Sequence, residues 1–311
     1  MKWIKEFLEG DVIRGPLLVI NANRGITNNG LAYMNITLQD KTGTIEAKKW
    51  DLSEDDNAVI TSGSIIYVDG DVLNYRDNLQ IKIRSVRRLQ DDEVDVSRFT
   101  ISSPIAIEEL EKRLDAYVSS IKQPECALII KTLVEKFYKN FISYPAAVRN
   151  HHEFASGLLH HTVQMADLGE AIAKLYSSID RDMLISGIIL HDLGKTIELS
   201  GPIIPKYTLE GKLIGHISIT HAEIQKVVDE LNIKGEVPTL LSHMVLSHHG
   251  KYEYGSPVLP LTREAFLLSV IDDLDSKMMI IDKAFDQTPE GEFTSRIYAL
   301  DERAFYKPKK K

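Results

Sequence analysis

All ten histidines of this 311-residue chain lie between His151 and His249, and the first 150 residues contain none. Histidine is the commonest metal ligand in proteins and the side chain whose charge changes nearest neutral pH. The chain has one cysteine, Cys126, so a metal site here would combine imidazoles with carboxylates rather than thiolates. The clustering therefore indicates a metal centre in the second half of the sequence.

The first candidate ligand lies on an amphipathic helix. His161 shares the apolar face of Leu158 and Met165, which predicts that it points into the core. The adjacent His160 has a different helical phase and is expected on a wetter side of the helix. A single core histidine is more often structural than metal-bound, so this position alone does not identify a ligand.

The second candidate is the pair His191-Asp192, which follows an apolar run and precedes Gly194. This pattern is typical of the end of a buried helix. A buried carboxylate is costly unless it is paired or bound to a metal. The pair is therefore a specific signal for a site.

Two histidines compete for the next position. His221 lies on the helical stripe of Ile217 and Ile224, whereas the phase of His216 is awkward. Spacing alone favours His221.

His248 and His249 end another apolar segment, at a point where neighbouring side chains can converge. His243 lies more than a turn earlier and is expected to support a ligand or to be structural. The sequence does not assign roles to His151 and His152.

A third group is acidic. Asp272 continues the line of Leu268, which directs it toward the margin of the core. Asp273 and Asp275 are expected on a solvated face.

Five or six inward histidines and two aspartates exceed what one ion of ordinary coordination needs. Two divalent ions that share a bridging carboxylate are the natural arrangement. A pair of metals about 3.5–4 Å apart activates water and stabilises both the attacking and the leaving oxygen of a phosphoryl transfer. The set therefore favours hydrolysis of a phosphate ester.

The N-terminal part has a different periodicity. Met34, Ile36 and Leu38 alternate with polar residues, and Ile45 and Ala47 repeat the pattern after a turn at residues 40–43. Five such short strands within residues 12 to about 90 predict a small closed barrel. Aromatic and cationic side chains fall at the outward positions: Tyr33, Lys48, Trp50, Lys82 and Arg84.

These outward residues predict a platform on which the bases of a single strand could stack. The whole chain carries 37 Lys and Arg against 45 Asp and Glu, a net charge of −8. Bulk electrostatics therefore cannot drive binding to nucleic acid, and any such binding must be local and salt-sensitive.

We expect four segments: a barrel (1–90), an acidic linker (91–104), a helical domain (105–306) and a solvated basic tail (307–311). The charged N-terminus and the lack of a long apolar run predict a soluble protein with no membrane partner. The single cysteine suits the reducing cytoplasm.

His161, the sequence Leu-His191-Asp192-Leu-Gly-Lys and Asp272 resemble the HD-domain superfamily of metal-dependent phosphohydrolases. The longer pattern, with Gly-His216-Ile and Ser-His248-His249-Gly, is similar to the YhaM-type 3′→5′ exoribonucleases. Residues 38–50, Leu-Gln-Asp-Lys-Thr-Gly-Thr-Ile-Glu-Ala-Lys-Lys-Trp, resemble the tRNA-anticodon-type OB-fold of that family. The resemblance covers essentially the whole chain and implies a multidomain fold, an all-β OB-fold barrel followed by an all-α HD domain.

The resemblance also implies the ligand sets. One ion would be held by His161, His191, Asp192 and Asp272, and a second by Asp192, His216, His248 and His249. It thus selects His216 over His221, and it assigns Asp192 and Lys195 to catalysis, with Lys195 meeting the substrate phosphate. The metal is expected to be Mn²⁺ ahead of Co, Fe, Ni or Zn.

The implied activity is metal-dependent release of nucleoside 5′-monophosphates from the 3′ end of single-stranded RNA. Single-stranded DNA is an alternative substrate. The sequence leaves open whether the chain forms a homo-oligomer. A phosphohydrolase for cyclic dinucleotides or nucleotides would keep the metals, but it would not need a strand-binding barrel. An RNA-binding protein with a structural metal is the non-enzymatic alternative.

Overall fold

The computed structural model describes residues 2–27, 30–75, 78–89, 98–99, 103, 105–146, 156–202, 205–286 and 288–309. The chain divides into two compact units, Met1–Ser102 and Ser103–Lys311. Most of the predicted linker, 91–104, and the turn residues Asn28 and Asn29 lie outside the described residues. Each unit has a hydrophobic core of its own.

The first unit is a closed five-stranded barrel with the strand order β1-β2-β3-β5-β4. Its elements are β1 (Val12–Ile26), β2 (Ala32–Asp40), β3 (Gly43–Trp50), α1 (Glu54–Val59), β4 (Ile65–Tyr75) and β5 (Asn78–Arg88). Neighbouring strands pair antiparallel except β3 and β5, whose parallel pairing closes the barrel. This parallel pairing joins residues 46–49 of β3 to residues 80–83 of β5.

The alternation of apolar and polar residues decides which side chains fill this barrel. Met34, Ile36 and Leu38 of β2 are buried, as are Ile45 and Ala47 of β3. Successive side chains of a strand point to opposite faces, so the residues between them lie outside. This pattern confirms the predicted barrel and its inward positions.

The second unit is helical. Its helices are α2 (Ile107–Ser120), α3 (Pro124–Phe141), α4 (Gly157–Leu175), α5 (Arg181–Leu190), α6 (Lys195–Glu198), α7 (Leu209–Leu213), α8 (His216–Glu230), α9 (Val237–Ser247) and α10 (Arg263–Asp286). Short 3₁₀ turns form at Tyr252–Tyr254 and Tyr298–Leu300.

Helix α5 lies at the centre of this unit and contacts α3, α4, α9 and α10. Every residue from Met183 to Leu190 is buried, as expected for a helix that is apolar on all sides. Asp180 caps its first turn by accepting a hydrogen bond from the main-chain N–H of Met183. The central helix therefore delivers its C-terminal residue, His191, to the interior.

The C-terminal segment differs from the prediction. Helical structure ends at Asp286, and residues 288–309 form two short antiparallel bridges and a 3₁₀ turn. Lys307, expected in a solvated tail, donates from Nζ to the carbonyls of Phe285 and Thr288 at 2.6 and 2.9 Å. A lysine beside the last carbonyls of a helix is stabilised by them, which holds this segment in place.

No helix within the described ranges has both the length and the apolarity needed to cross a lipid bilayer.

Candidate functional site

Five of the predicted histidines converge in the helical unit. Their ring centroids form a continuous series: His161–His191 at 5.3 Å, His191–His248 at 5.1 Å, His248–His249 at 4.3 Å, His249–His216 at 5.3 Å and His216–His248 at 5.6 Å. They come from α4, α8 and the ends of α5 and α9, so segments far apart in the sequence meet at one point.

Asp192 lies at the centre of this cluster. Its Oδ2 is 3.2 Å from Nε2 of His191 and 3.9 Å from Nε2 of His161. Its Oδ1 is 3.3 Å from Nε2 of His216 and 3.8 Å from Nε2 of His248. One carboxylate thus faces two groups of imidazoles with its two oxygens, which is the geometry of a bridging ligand.

The outer nitrogens of these rings are anchored. Nδ1 of His191, His248 and His249 each lies 2.7 Å from a main-chain carbonyl, of Ile188, Val245 and Tyr254 respectively. In the other two rings, Nδ1 bonds a carboxylate: Asp275 for His161 (2.7 Å) and Glu198 for His216 (3.1 Å).

A hydrogen bond from Nδ1–H selects the tautomer whose Nε2 lone pair is free to bind a metal. The five Nε2 atoms therefore point into the cluster, where those of His161 and His191 lie 3.3 Å apart, and they are the candidate metal-binding atoms.

Three buried atoms in the cluster have no hydrogen-bond partner among the described residues: Asp192 Oδ1, His216 Nε2 and His248 Nε2. Buried polar atoms are rarely left unsatisfied, because each costs free energy. The inward atoms form two ligand groups, one from His161, His191 and Asp192 and one from His216, His248 and His249, each within 4.8 Å. The donor set fits two divalent cations.

Asp272 lies where the sequence predicts, with Oδ1 3.3 Å from Nε2 of His161. The prediction for Asp275 is wrong: it is 1% exposed and supports His161 from the outer side. Asp273 is exposed and pairs with Lys277, as expected for a solvated face. Asp275 follows Ile271 by four residues on the buried stripe of α10, and this spacing could have identified it.

The competition between His216 and His221 is decided by the turn around Gly194. A Cβ at Gly194 would overlap the main-chain oxygen of His216 and lie 2.7 Å from Thr220 Oγ1. The absence of a side chain therefore allows the segment that carries Asp192 to pack against the start of α8. His216, the first residue of that helix, is brought to Asp192, and His221 is not part of either ligand group.

Two other histidines are structural. The expectation that His160 lies on a wetter side is wrong, because it is 3% exposed and its Nδ1 is 2.9 Å from Ser103 Oγ. His243 accepts a hydrogen bond at Nε2 from the main-chain N–H of Leu261 at 2.9 Å. His151 and His152 lie outside the described residues.

Burial and neighbouring charges shift the pKa values of this cluster in opposite directions. Burial alone would lower the pKa of His161, but the carboxylates of Asp272 and Asp275 outweigh it and raise the value to about 9. Burial, reinforced by His249 and His191, lowers the pKa of His248 well below its ordinary value. His248 is thus neutral at pH 7, the form that binds a metal. His161 is protonated at pH 7 without a metal, so a cation bound at its Nε2 would displace that proton.

Lys195 lies beside the bridging carboxylate, with Nζ 2.6 Å from Asp192 Oδ2. Burial would favour a neutral amine, but the charge of Asp192 outweighs burial and raises the pKa of Lys195. The same attraction holds the pKa of Asp192 well below its usual range despite burial. Both groups are therefore charged at neutral pH.

The cluster opens into a pocket of about 610 Å³ in the helical unit. Its lining includes Asp192, Lys195, His216, His249 and Asp272. A substrate can therefore reach the cluster.

The barrel brings its predicted aromatic residues together. Tyr33 of β2 pairs in register with Trp50 of β3, and their ring centroids are 5.0 Å apart. Lys48 Nζ lies 5.9 Å from the Tyr33 ring and 5.6 Å from the Trp50 ring. It is also 6.0 Å from the ring of Tyr75, a residue of β4 that the sequence prediction missed.

The two remaining predicted residues differ from each other. Lys82 is exposed and pairs in register with Lys48, so both cations lie on this face. Arg84 forms ion pairs with Asp69 and Asp71 at 2.6 and 3.1 Å. Its charge is largely committed to these carboxylates.

Comparisons with known proteins agree with this division. The HD domain family matches residues 158–277, and the OB-fold nucleic acid binding domain family matches residues 19–89. The chain is 48% identical, over 308 residues, to the 3′-5′ exoribonuclease YhaM of Geobacillus sp. (strain WCH70). That alignment covers 99% of this chain and 95% of the relative.

Two solved structures are also similar to part of this chain. The second OB-fold domain of replication protein A from Methanococcus maripaludis is 20% identical and covers 29% of this chain and 95% of that chain, with a TM-score of 0.25. The HD domain of the L. monocytogenes phosphodiesterase PgpH is 17% identical and covers 51% of this chain and 83% of that chain, with a TM-score of 0.30.

Proposed function

The chain belongs to the family of the 3′-5′ exoribonuclease YhaM, and we propose on this premise that its buried histidine cluster removes nucleoside 5′-monophosphates from the 3′ end of single-stranded RNA. Membership makes it a metal-dependent 3′-5′ exoribonuclease, a hydrolase that acts on RNA. Family membership does not state that the RNA is single-stranded or that the products are nucleoside 5′-monophosphates, and these two points are what we propose.

We propose that the cluster holds two cations, one for each ligand group. One would be held by His161, His191, Asp192 and Asp272, and the other by His216, His248 and His249 with Asp192 as the bridge. When bound, a pair of divalent cations supplies Lewis-acid activation of water and of the phosphodiester. Imidazole and carboxylate donors suit Mn²⁺, which we favour, and equally allow Fe, Co, Ni or Zn.

Three further side chains, Lys195, Asp275 and Glu198, supply positive charge or keep the histidine rings in position. Lys195 stays protonated beside Asp192 at the pocket wall, where it can offset the negative charge that develops on the phosphate oxygens. Asp275 and Glu198 fix the rings of His161 and His216, so the inward nitrogens keep their orientation. The protein thus supplies a rigid site in which little rearrangement is needed during the reaction.

The barrel supplies affinity for the strand. Tyr33 and Trp50 offer a paired aromatic surface, and Lys48 with Lys82 adds positive charge beside it. Stacking accepts any base, which suits an enzyme that must process every sequence. We further propose a cytoplasmic location, consistent with one buried free cysteine.

One observation carries the proposal: Asp192 Oδ1 faces the Nε2 atoms of His216 and His248, and these three buried atoms have no hydrogen-bond partner among the described residues. They lie in a chain whose second unit contains an HD domain. The test is incubation of 5′-labelled single-stranded RNA with the full chain and Mn²⁺. We expect a ladder of products shortened by one nucleotide at a time, release of 5′-monophosphates, and complete inhibition by EDTA.

The same RNA annealed to a complementary strand and a single-stranded DNA of the same sequence serve as controls. Internal cleavage products, or shortening that survives EDTA, would contradict the proposal. Turnover confined to free nucleotides or cyclic dinucleotides would reassign the substrate while leaving the metal centre in place.

A further inference from the structure

The pocket lining includes residues that metal binding does not explain. Besides the candidate ligands and Lys195, it includes Tyr207, Tyr254 and Lys277 together with the small apolar residues Ala146 and Ala299. A volume of about 610 Å³ lies within the roughly 300–1,000 Å³ of pockets that enclose small ligands. The pocket therefore accommodates the end of a strand rather than a long segment of it.

The two tyrosines lie close to the metal centre along the chain. Tyr207 forms a bridge with Leu199, the residue that follows the His216-supporting Glu198. Tyr254 accepts the Nδ1 hydrogen bond of His249 at its main-chain oxygen, 2.7 Å away. Their backbones are thus tied to the segments that position the ligands.

Both side chains are left largely in contact with solvent. Tyr207 is 47% exposed and Tyr254 is 56% exposed, although both line a pocket. Lys251 Nζ lies 5.1 Å from the centre of the Tyr254 ring, so an aromatic face and a cation occur together. The same combination forms the stacking surface of the barrel, where Lys48 lies near Tyr33 and Trp50.

We propose that Tyr254, assisted by Tyr207, forms a base-binding subsite that stacks on the 3′-terminal nucleotide and positions its phosphodiester at the metal end of the pocket. The proposal rests on the proposed exoribonuclease function and adds the residues that hold the scissile end. Stacking on an aromatic ring is independent of base identity, so the subsite would accept all four nucleotides. Both tyrosines act as positioning residues, because neither is a metal ligand.

The test uses substrates too short to depend on the barrel. A diribonucleoside monophosphate such as ApA carries a 3′-terminal base, whereas its analogue with an abasic 3′-terminal ribose is a baseless diester that keeps the same phosphodiester. In the full chain with Mn²⁺, Tyr254→Leu is expected to raise KM for ApA about tenfold, with a much smaller effect on kcat. The ratio of kcat/KM for ApA to that for the baseless diester should fall by a similar factor.

Two further variants separate stacking from structure. Tyr254→Phe keeps the ring and should restore KM to within about twofold of the unsubstituted protein. Tyr252 is a matched control, since it is 62% exposed in the same 3₁₀ turn but is not part of the pocket lining. Tyr252→Leu should leave both kinetic constants near those of the unsubstituted protein, and Tyr207→Leu should raise KM less than Tyr254→Leu.

Equal effects of Tyr254→Leu and Tyr252→Leu would overturn the subsite. So would a loss of bound metal in Tyr254→Leu that Tyr254→Phe does not restore, since the ring would then act only through His249. If the unsubstituted protein cleaves the baseless diester but neither ApA nor RNA, the proposed function fails and the subsite fails with it. If the unsubstituted protein shortens RNA but Tyr254→Leu does not change KM for ApA, the subsite is rejected and the proposed function stands.

Discussion

The metal centre and the barrel surface are built by opposite means. In the metal centre, His161, His191 and His248 are fully buried, and each ring is fixed by a hydrogen bond on its outer nitrogen. On the barrel, Tyr33 and Trp50 are at least partly exposed and meet through strand register. The first arrangement defines atomic positions, whereas the second defines a surface.

The contrast follows from what each region has to recognise. Coordination of a metal needs several atoms at fixed distances and angles, so small displacements are costly. Stacking of bases tolerates displacement, because its energy varies gently with position and every base has an aromatic face. We therefore expect substitutions in the metal centre to have much larger effects than substitutions on the barrel.

The largest effect is expected for Asp192→Asn. This change keeps the size of the side chain but removes the charge that would bridge two cations and that pairs with Lys195. Turnover of RNA should fall at least about 10³-fold, and metal content by mass spectrometry should drop. RNA affinity, measured by fluorescence anisotropy, should be retained within about threefold, and His191→Ala should behave in the same way.

If Asp192→Asn retained both metal and activity, the assignment of the bridging carboxylate would be wrong. A large loss of RNA affinity in Asp192→Asn would instead show that RNA binding depends on the metal centre and not on the barrel alone.

A smaller effect is expected for Asp275→Asn. Asp275 does not face the inward nitrogens but holds Nδ1 of His161 at 2.7 Å. Loss of such an outer-shell carboxylate typically costs about 10–100-fold in metal affinity or activity. Titration of activity against Mn²⁺ concentration would measure the shift.

Asp282→Asn is the matched control for this variant. It removes the same charge from the same helix, but at an exposed position that is not part of the pocket lining. Its activity should stay within about twofold. Equal losses in the two variants would indicate that net charge, rather than the orientation of His161, is responsible.

The smallest effects are expected on the barrel, where Trp50→Ala and Arg84→Ala sharpen the contrast. Removing one stacking ring should weaken RNA affinity about 5- to 20-fold. Arg84→Ala should have less than a threefold effect, because Asp69 and Asp71 already bind its guanidinium. Anisotropy titrations in the Asp192→Asn background would avoid degradation of the RNA.

An Arg84→Ala effect as large as that of Trp50→Ala would show that Arg84 leaves its carboxylates to bind phosphate. Affinity for RNA should also fall with rising salt, since part of it comes from lysines on the strand-facing surface.

Periodic patterns in the sequence predicted the barrel well. Alternation over short strands is a local property, and it fixed which side chains of β2 and β3 point inward. Tyr75 was missed, because its proximity to Lys48 depends on how β4 is placed around the closed barrel. A pattern within one strand carries no information about which strand lies beside it.

The same limit appears in the metal centre. Helical phase identified His161, and the buried doublet identified His191 and Asp192, since a carboxylate in an apolar segment needs a partner. Phase alone favoured His221 and placed Asp275 in solvent, and both predictions were wrong. Resemblance to known enzymes, not periodicity, selected His216.

The sequence by itself predicted the chemical types of the candidate ligands and the two kinds of domain, because residue chemistry and local periodicity are properties of the chain. Only the tertiary structure decided which imidazoles share Asp192 and which carboxylates orient them. Those contacts join α4, α5, α8, α9 and α10, whose relative placement depends on packing across the core, including the close approach that Gly194 allows. Packing of this kind is a collective property of many side chains and leaves no repeat in the sequence.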